Sequence, residues 1–264
     1  MLPILLLLFL TALSPSQSDP GSPSKLIFIL AGQSNMAGRG GVVNTTWDHI
    51  IPPESSPNPS ILRLNAHLQW EPAHEPLHAD IDVLKTCGVG PGMAFANAVR
   101  SGGCEGEIGL VPCAIGGTTI SEWERGQGLY ERMVRRAKAA VEEGGGRVGA
   151  VLWYQGESDT EERAEAEAYA GRMARLVRDL REDLGQPGLL VIQVALASGE
   201  GNFTEIVREA QKGIKLPNVL CVDAEGLALE EDHLHLTTHA QVHLGKMLAA
   251  AYLGHVKPHL ESLF

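Results

Sequence analysis

The sequence predicts an α/β protein of three layers, with helices on both faces of a doubly wound, flavodoxin-like parallel sheet of about five strands. Three observations carry that prediction. Short runs rich in Val, Ile and Leu alternate with longer amphipathic segments. The short runs are almost continuously apolar, as parallel strands covered on both faces must be. Polar, Gly-rich stretches follow the ends of four of them, where open α/β sheets place their ligands.

The elements follow in order. "KLIFILA" (25–31) reads as the first strand. Residues 38–90 break the periodicity: they are rich in Pro, Gly and His, and are expected to be a long loop with short edge strands around "ILRLN" and "LQWEP". A helix is expected over 91–101, with Pro91 suited to its first turn. The second strand is "EIGLVPCA" (107–114), followed by a helix over 129–143 that stops at the glycines 144–146. "VGAVLWYQ" (148–155) is the third strand, with a helix over 161–184 ending before Gly185. "LLVIQVAL" (189–196), a helix over 205–212, "NVLCVD" (218–223) and a helix over 237–253 complete the pattern. Strand–helix alternation with right-handed crossovers makes this one domain, residues 19–264.

Residues 1–18 are of another kind. An apolar run from Ile4 to Leu13 precedes small polar residues, with Ser16 and Ser18 placed for cleavage before Asp19. The run is too short for a bilayer core of about 30 Å and reads as a secretory signal peptide. Two sequons, Asn44-Thr45-Thr46 and Asn202-Phe203-Thr204, agree with an extracellular, glycosylated protein. Cys87, Cys104, Cys113 and Cys221 can pair in three ways in an oxidising compartment. Buried free thiols are the alternative for Cys113 and Cys221, which fall in strand-like runs.

The formal net charge is −11 and no basic cluster occurs, which argues against nucleic acid and anionic membrane surfaces as partners. Hydrophobic residues at 44% leave enough for a full core at this length.

Four strand ends converge on one rim, each with a different chemistry: "GQSNMAG", "IGGTTISEW", "WYQGESD" and "DAEGLALEEDHLHLT". Ser34 at the first can act as a nucleophile only with a base beside it. Asp232 and His235 offer one, the carboxylate holding the Nδ1 side of the imidazole while Nε2 faces the serine. His233 competes, but the Asp-x-x-His spacing favours His235. Acyl transfer also needs donors for an oxyanion: the Ser34 N–H, a backbone N–H of Gly116 or Gly117, and the Gln155 amide are the candidates. Glu157 can bind sugar hydroxyls, orient Gln155 or cap a helix; Asp159 is expected to cap the helix that follows. Trp123 can stack on a sugar ring or pack in the core. Gln33 and Asn35 are expected to support the turn. His239 and His243 are spaced like a metal pair, but no third ligand lies nearby in sequence, so no metal or cofactor is expected.

"GQSNMAGRG" (32–40), "CAIGGTTISEW" (113–123), "WYQGESD" (153–159) and "DHLHLT" (232–237) together resemble the SGNH hydrolases. The nearer resemblance is to the carbohydrate acetylesterase branch of sialate O-acetylesterase, the plant acetyl xylan esterases and the plant probable carbohydrate esterases. It spans residues 25–253. It implies the SGNH hydrolase fold, Ser34 as nucleophile, His235 as base, Asp232 as its partner, and an oxyanion hole from Ser34, Gly117 in preference to Gly116, and Gln155. Gln155 stands where the superfamily is named for an asparagine, a substitution this branch shows. The expected function is a secreted serine esterase that removes O-acetyl groups from a carbohydrate, a polysaccharide of the plant cell wall. Its rivals are a non-catalytic carbohydrate-binding protein and an esterase of lipids or other small esters.

Overall fold

The first strand, β1 (Leu26–Gly32), is buried along its whole length, because parallel partners flank it and helices cover both faces. The computed structural model describes residues 25–104 and 106–261; the segment read as a signal peptide lies outside them. After β1 come a single helical turn, α1 (Ser34–Ala37), a small hairpin of β2 (Val42–Val43) and β3 (Thr46–Trp47), and the strands β4 (Ile61–Leu64) and β5 (Trp70–Pro72). The regular alternation then begins: α2 (Pro91–Ser101), β6 (Ile108–Pro112), α3 (Gly128–Gly144), β7 (Arg147–Tyr154), α4 (Arg163–Asp183), β8 (Val191–Ala195), α5 (Thr204–Gly213), β9 (Val219–Asp223) and α6 (Thr238–Glu261).

The main sheet runs β5-β4-β6-β1-β7-β8-β9. Its five long strands are parallel to one another in the doubly wound order. β4 adds in parallel beside β6, and β5 closes that edge antiparallel, so the sheet has seven strands rather than about five. The two additions are the short edge strands foreseen within 38–90. Right-handed crossovers put α3, α4 and α5 on one face, with α2 and α6 packed together on the other. The winding reverses between β1 and β7, opening the sheet's crevice at the ends of those two strands.

The long 38–90 segment is not an open loop. Its neck is closed by paired backbone bonds between Gly40 and Val89 (3.0 Å each way) and by Gly88 N–H to Gly38 O at 3.1 Å. Buried Arg136 on α3 donates to Leu64 O, Asn65 O and Pro112 O, which fastens the edge strand to β6. Among the described residues all four cysteines are free thiols, so no disulfide supports the fold. Cys113 is buried as its strand position suggested, whereas Cys221 is exposed, because β9 is the sheet's edge. No described helix is long and apolar enough to cross a membrane.

Candidate active site

β1 delivers Ser34 to the crevice through a turn that only glycine permits. Gly32 has φ of +125°, and a Cβ there would lie 2.0 Å from Tyr154 O on the adjacent strand. Ser34 opens α1, so no carbonyl within that helical turn can accept its N–H. The side chain is nearly buried.

The last rim reaches Ser34 from the far end of the chain. Residues 228–237 form a small hairpin, closed by Glu230 N–H to His235 O (2.7 Å) and Thr237 N–H to Ala228 O (3.1 Å). At its tip Asp232 Oδ1 accepts the N–H groups of Leu234 and His235, each at 2.9 Å. Asp232 Oδ2 lies 2.6 Å from His235 Nδ1, and His235 Nε2 lies 3.0 Å from Ser34 Oγ. Partial desolvation would raise the Asp232 carboxyl, but those two backbone bonds and the histidine outweigh it and hold it below the usual range. His233 is exposed at φ of +57°, on the outside of the turn. His239 and His243 are exposed on α6, and no described cluster of three ligating side chains could hold a metal ion.

The glycine loop lies against the serine. A Cβ on Gly116 would meet Arg39 Nη2 at 2.6 Å and the Ser34 Cβ at 3.4 Å. The Gly116 N–H is spent on Asp82 Oδ2 at 3.2 Å. Gly117 has φ of +72° and faces open space, where a Cβ would touch nothing within 4 Å. Of the two glycines, Gly117 is therefore the one facing the open side.

Two expectations need correction, for Gln155 and Asp159, and two open readings, for Trp123 and Glu157, are decided. Gln155 is fully buried, and its Nε2 donates to Thr118 O (2.8 Å) and Asp159 Oδ2 (2.6 Å), with Gln33 Oε1 at 3.2 Å. Those acceptors occupy both amide hydrogens, so Gln155 ties the glycine loop to β7 instead of facing an oxyanion. Asp159 does not cap α4; it sits in a short turn before it and accepts the Ile120 N–H as well as Gln155. Burial pushes its carboxyl up to about 6, against those two bonds. Trp123 is no sugar platform: it is buried edge-on against Trp153, and its Nε1 donates to Thr118 Oγ1 at 3.1 Å. Glu157 is also wholly buried, with Oε1 accepting from Asn35 Nδ2 at 2.8 Å, and reaches no sugar. Gln33 and Asn35 do support the turn: Gln33 Oε1 accepts the Gly156 N–H at 3.1 Å, and Asn35 Oδ1 accepts the Leu236 N–H at 2.9 Å.

Sequence reasoning missed the Arg39–Asp82 pair. Both side chains are buried, and Asp82 Oδ2 takes the Arg39 Nη2 and the Gly116 N–H together. Arg39 lay inside a quoted motif, but Asp82 is a lone acid in an irregular stretch, with no local signal. Arg39 also borders a cavity of about 220 Å³ beside Asp232 and His235, walled by Thr45, Lys85 and Thr86. A larger hollow of about 570 Å³ lies at the opposite end of the strands, around Leu26, Arg147 and Leu189.

A doubly wound parallel sheet that brings Ser34, His235 and Asp232 into line at its switch point has the fold and site layout of the SGNH-type hydrolases. Residues 24–254 match the carbohydrate esterase family described as sialic acid-specific acetylesterases, and the chain belongs to that family of ester hydrolases. It is 59% identical over 247 residues to a probable carbohydrate esterase of Arabidopsis thaliana, covering 90% of this chain and 94% of that one. The crystal structure of an Arabidopsis thaliana protein at 60% identity superposes with a TM-score of 0.85, over 88% of this chain and 99% of that one. NanS shares the fold at 17% identity, with a TM-score of 0.73 over 90% of this chain and 99% of its own.

Proposed function

We propose that the protein is a secreted serine esterase that removes O-acetyl groups from a carbohydrate, a polysaccharide of the cell wall being the intended substrate. The observation that carries the reading is the relay from Asp232 through His235 to Ser34, closed at 2.6 Å and 3.0 Å. In the reaction His235 Nε2 takes the Ser34 hydroxyl proton as Oγ attacks the acetyl carbonyl carbon. The oxyanion is received by the N–H groups of Ser34 and Gly117. Collapse breaks the bond to the sugar oxygen, which leaves with the proton from His235. Water, deprotonated by the same imidazole, then cleaves the acetyl-serine and releases acetate. Asp232 keeps the imidazole in the tautomer that accepts from Ser34 and stabilises the imidazolium.

Secretion is supported by the apolar run from Ile4 to Leu13 and by two sequons whose asparagines, Asn44 and Asn202, are exposed. The name of the Arabidopsis relative supports a carbohydrate ester as substrate. Acetate release from acetylated xylan and from 4-nitrophenyl acetate tests the reading. Ser34→Ala is expected to abolish both; undiminished turnover by that variant would overturn the assignment.

A further inference from the structure

Asn35 follows the serine in sequence, is fully buried, and has all of its side-chain polar atoms engaged. Its Nδ2 donates to Glu157 Oε1 at 2.8 Å and to Leu234 O at 3.3 Å. Its Oδ1 accepts the Leu236 N–H at 2.9 Å. Leu234 and Leu236 flank His235. One side chain, fixed beside the nucleophile, thus grips the chain on both sides of the base.

The hairpin it grips needs such a hold. Its acid and base are partly open to water, the side chains of His235 and Asp232 being 22% and 49% exposed. The hairpin's other tie at this point is Ser198 Oγ, which donates to Leu234 O at 2.6 Å. Behind Asn35 stands Glu157, wholly buried, with Oε2 lacking a hydrogen-bond partner among the described residues. The acetyl-transfer steps give this carboxyl no task. Burial pushes it up to about 7, against the Asn35 bond. A buried acid with one side-chain partner is a costly feature, and here that partner is the residue holding the base.

We infer that Asn35 and Glu157 form a positioning latch that sets the His235 imidazole against Ser34 Oγ; the inference rests on the serine esterase reading. Neither side chain touches substrate. Glu157 fixes the rotamer of Asn35, and Asn35 transmits that position to the peptide groups of Leu234 and Leu236. Glu157 acts through an acceptor oxygen, so a glutamine there retains the hold and an alanine releases it. Asn35→Asp keeps the acceptor for Leu236 but turns a carboxylate oxygen toward Glu157 and Leu234 O.

The test compares Asn35→Ala, Asn35→Asp, Glu157→Ala, Glu157→Gln and the double alanine variant on 4-nitrophenyl acetate, alongside Ser34→Ala. Rates are divided by the folded fraction from circular dichroism. A base displaced by about 1 Å predicts a kcat loss of about 100-fold for either Asn35 variant, with KM changed by less than about twofold. Glu157→Ala loses about 10-fold in kcat and Glu157→Gln recovers most of it; the double variant falls no further than Asn35→Ala within about threefold, as residues acting through one bond do. A role in stability alone predicts lower melting temperatures with wild-type kcat per folded molecule, and that result overturns the inference. So do multiplicative losses in the double variant. Where Asn35→Ala does not fold, equal kcat for Glu157→Ala and Glu157→Gln overturns it. Full activity in Ser34→Ala would instead remove the esterase reading, which separates the two failures.

Discussion

Asp82→Ala strikes at the buried link between the 38–90 segment and the glycine loop. The Arg39 and Asp82 side chains are 7% and 2% exposed, so the substitution leaves a guanidinium out of water. Its remaining partners are Gly38 O at 2.9 Å and Cys87 Sγ at 3.4 Å. Breaking a buried ion pair from one side costs about 3–5 kcal/mol. At about 2–4 °C per kcal/mol for a chain of this size, Tm falls by about 6–20 °C. The same carboxylate holds the Gly116 N–H at 3.2 Å, next to Gly117. Complete loss of one oxyanion donor costs about 100- to 1,000-fold in kcat. A loosened Gly117 stops short of that, so the expected drop is about 10-fold. Asp82→Asn retains an oxygen for Gly116 and so separates the effects: Tm falls while kcat stays nearer to wild type. Thermal melts by circular dichroism and kcat at 25 °C read both. Wild-type Tm and kcat in Asp82→Ala would refute the reasoning.

Asp232→Asn places an amide donor against His235 Nδ1 and favours the tautomer that cannot accept from Ser34; kcat should fall by about 10⁴-fold with little change in Tm. Trp123→Phe removes a buried indole and its bond to Thr118, so it should lower Tm by about 2–8 °C for a cost of about 1–2 kcal/mol, while KM for acetylated xylan stays put. A raised KM at unchanged Tm would return Trp123 to the substrate. Burial pushes Glu75 up to about 8, against the N–H bonds of Leu77 and Gly90. Its folded value exceeds the unfolded one, so its contribution is complete below about pH 4.5 and is lost as pH rises toward 8. Urea unfolding from pH 5 to 8 should therefore show falling stability, with a shallower slope in Glu75→Gln; an unchanged slope would contradict this.

The five long strands were legible because their apolar runs satisfy two helical layers at once, and Ser34, Asp232 and His235 because their residue types and order are distinctive. The remainder depends on groups without a pattern. The neck of the 38–90 segment is closed by backbone bonds of Gly38, Gly40, Gly88 and Val89, which leave no side-chain signature. Gln155 was legible as an amide at a strand end, but its direction follows from the Thr118 carbonyl and the Asp159 carboxylate. Trp123 beside a Gly-rich loop fits a sugar platform or core packing equally well; its position edge-on to Trp153 decides for the core. Glu157 and Asp159 read as polar residues at a rim, yet both lie beneath it, because the turn after β7 folds inward.

The most direct measurement of the central claim is covalent labelling with a serine-reactive phosphonate, followed by peptide mass spectrometry. One adduct is expected, on Ser34, formed at the rate at which acetate-ester hydrolysis is lost and absent from His235→Ala. Complete inactivation with the adduct on another residue, or catalysis that persists with Ser34 fully labelled, would contradict it.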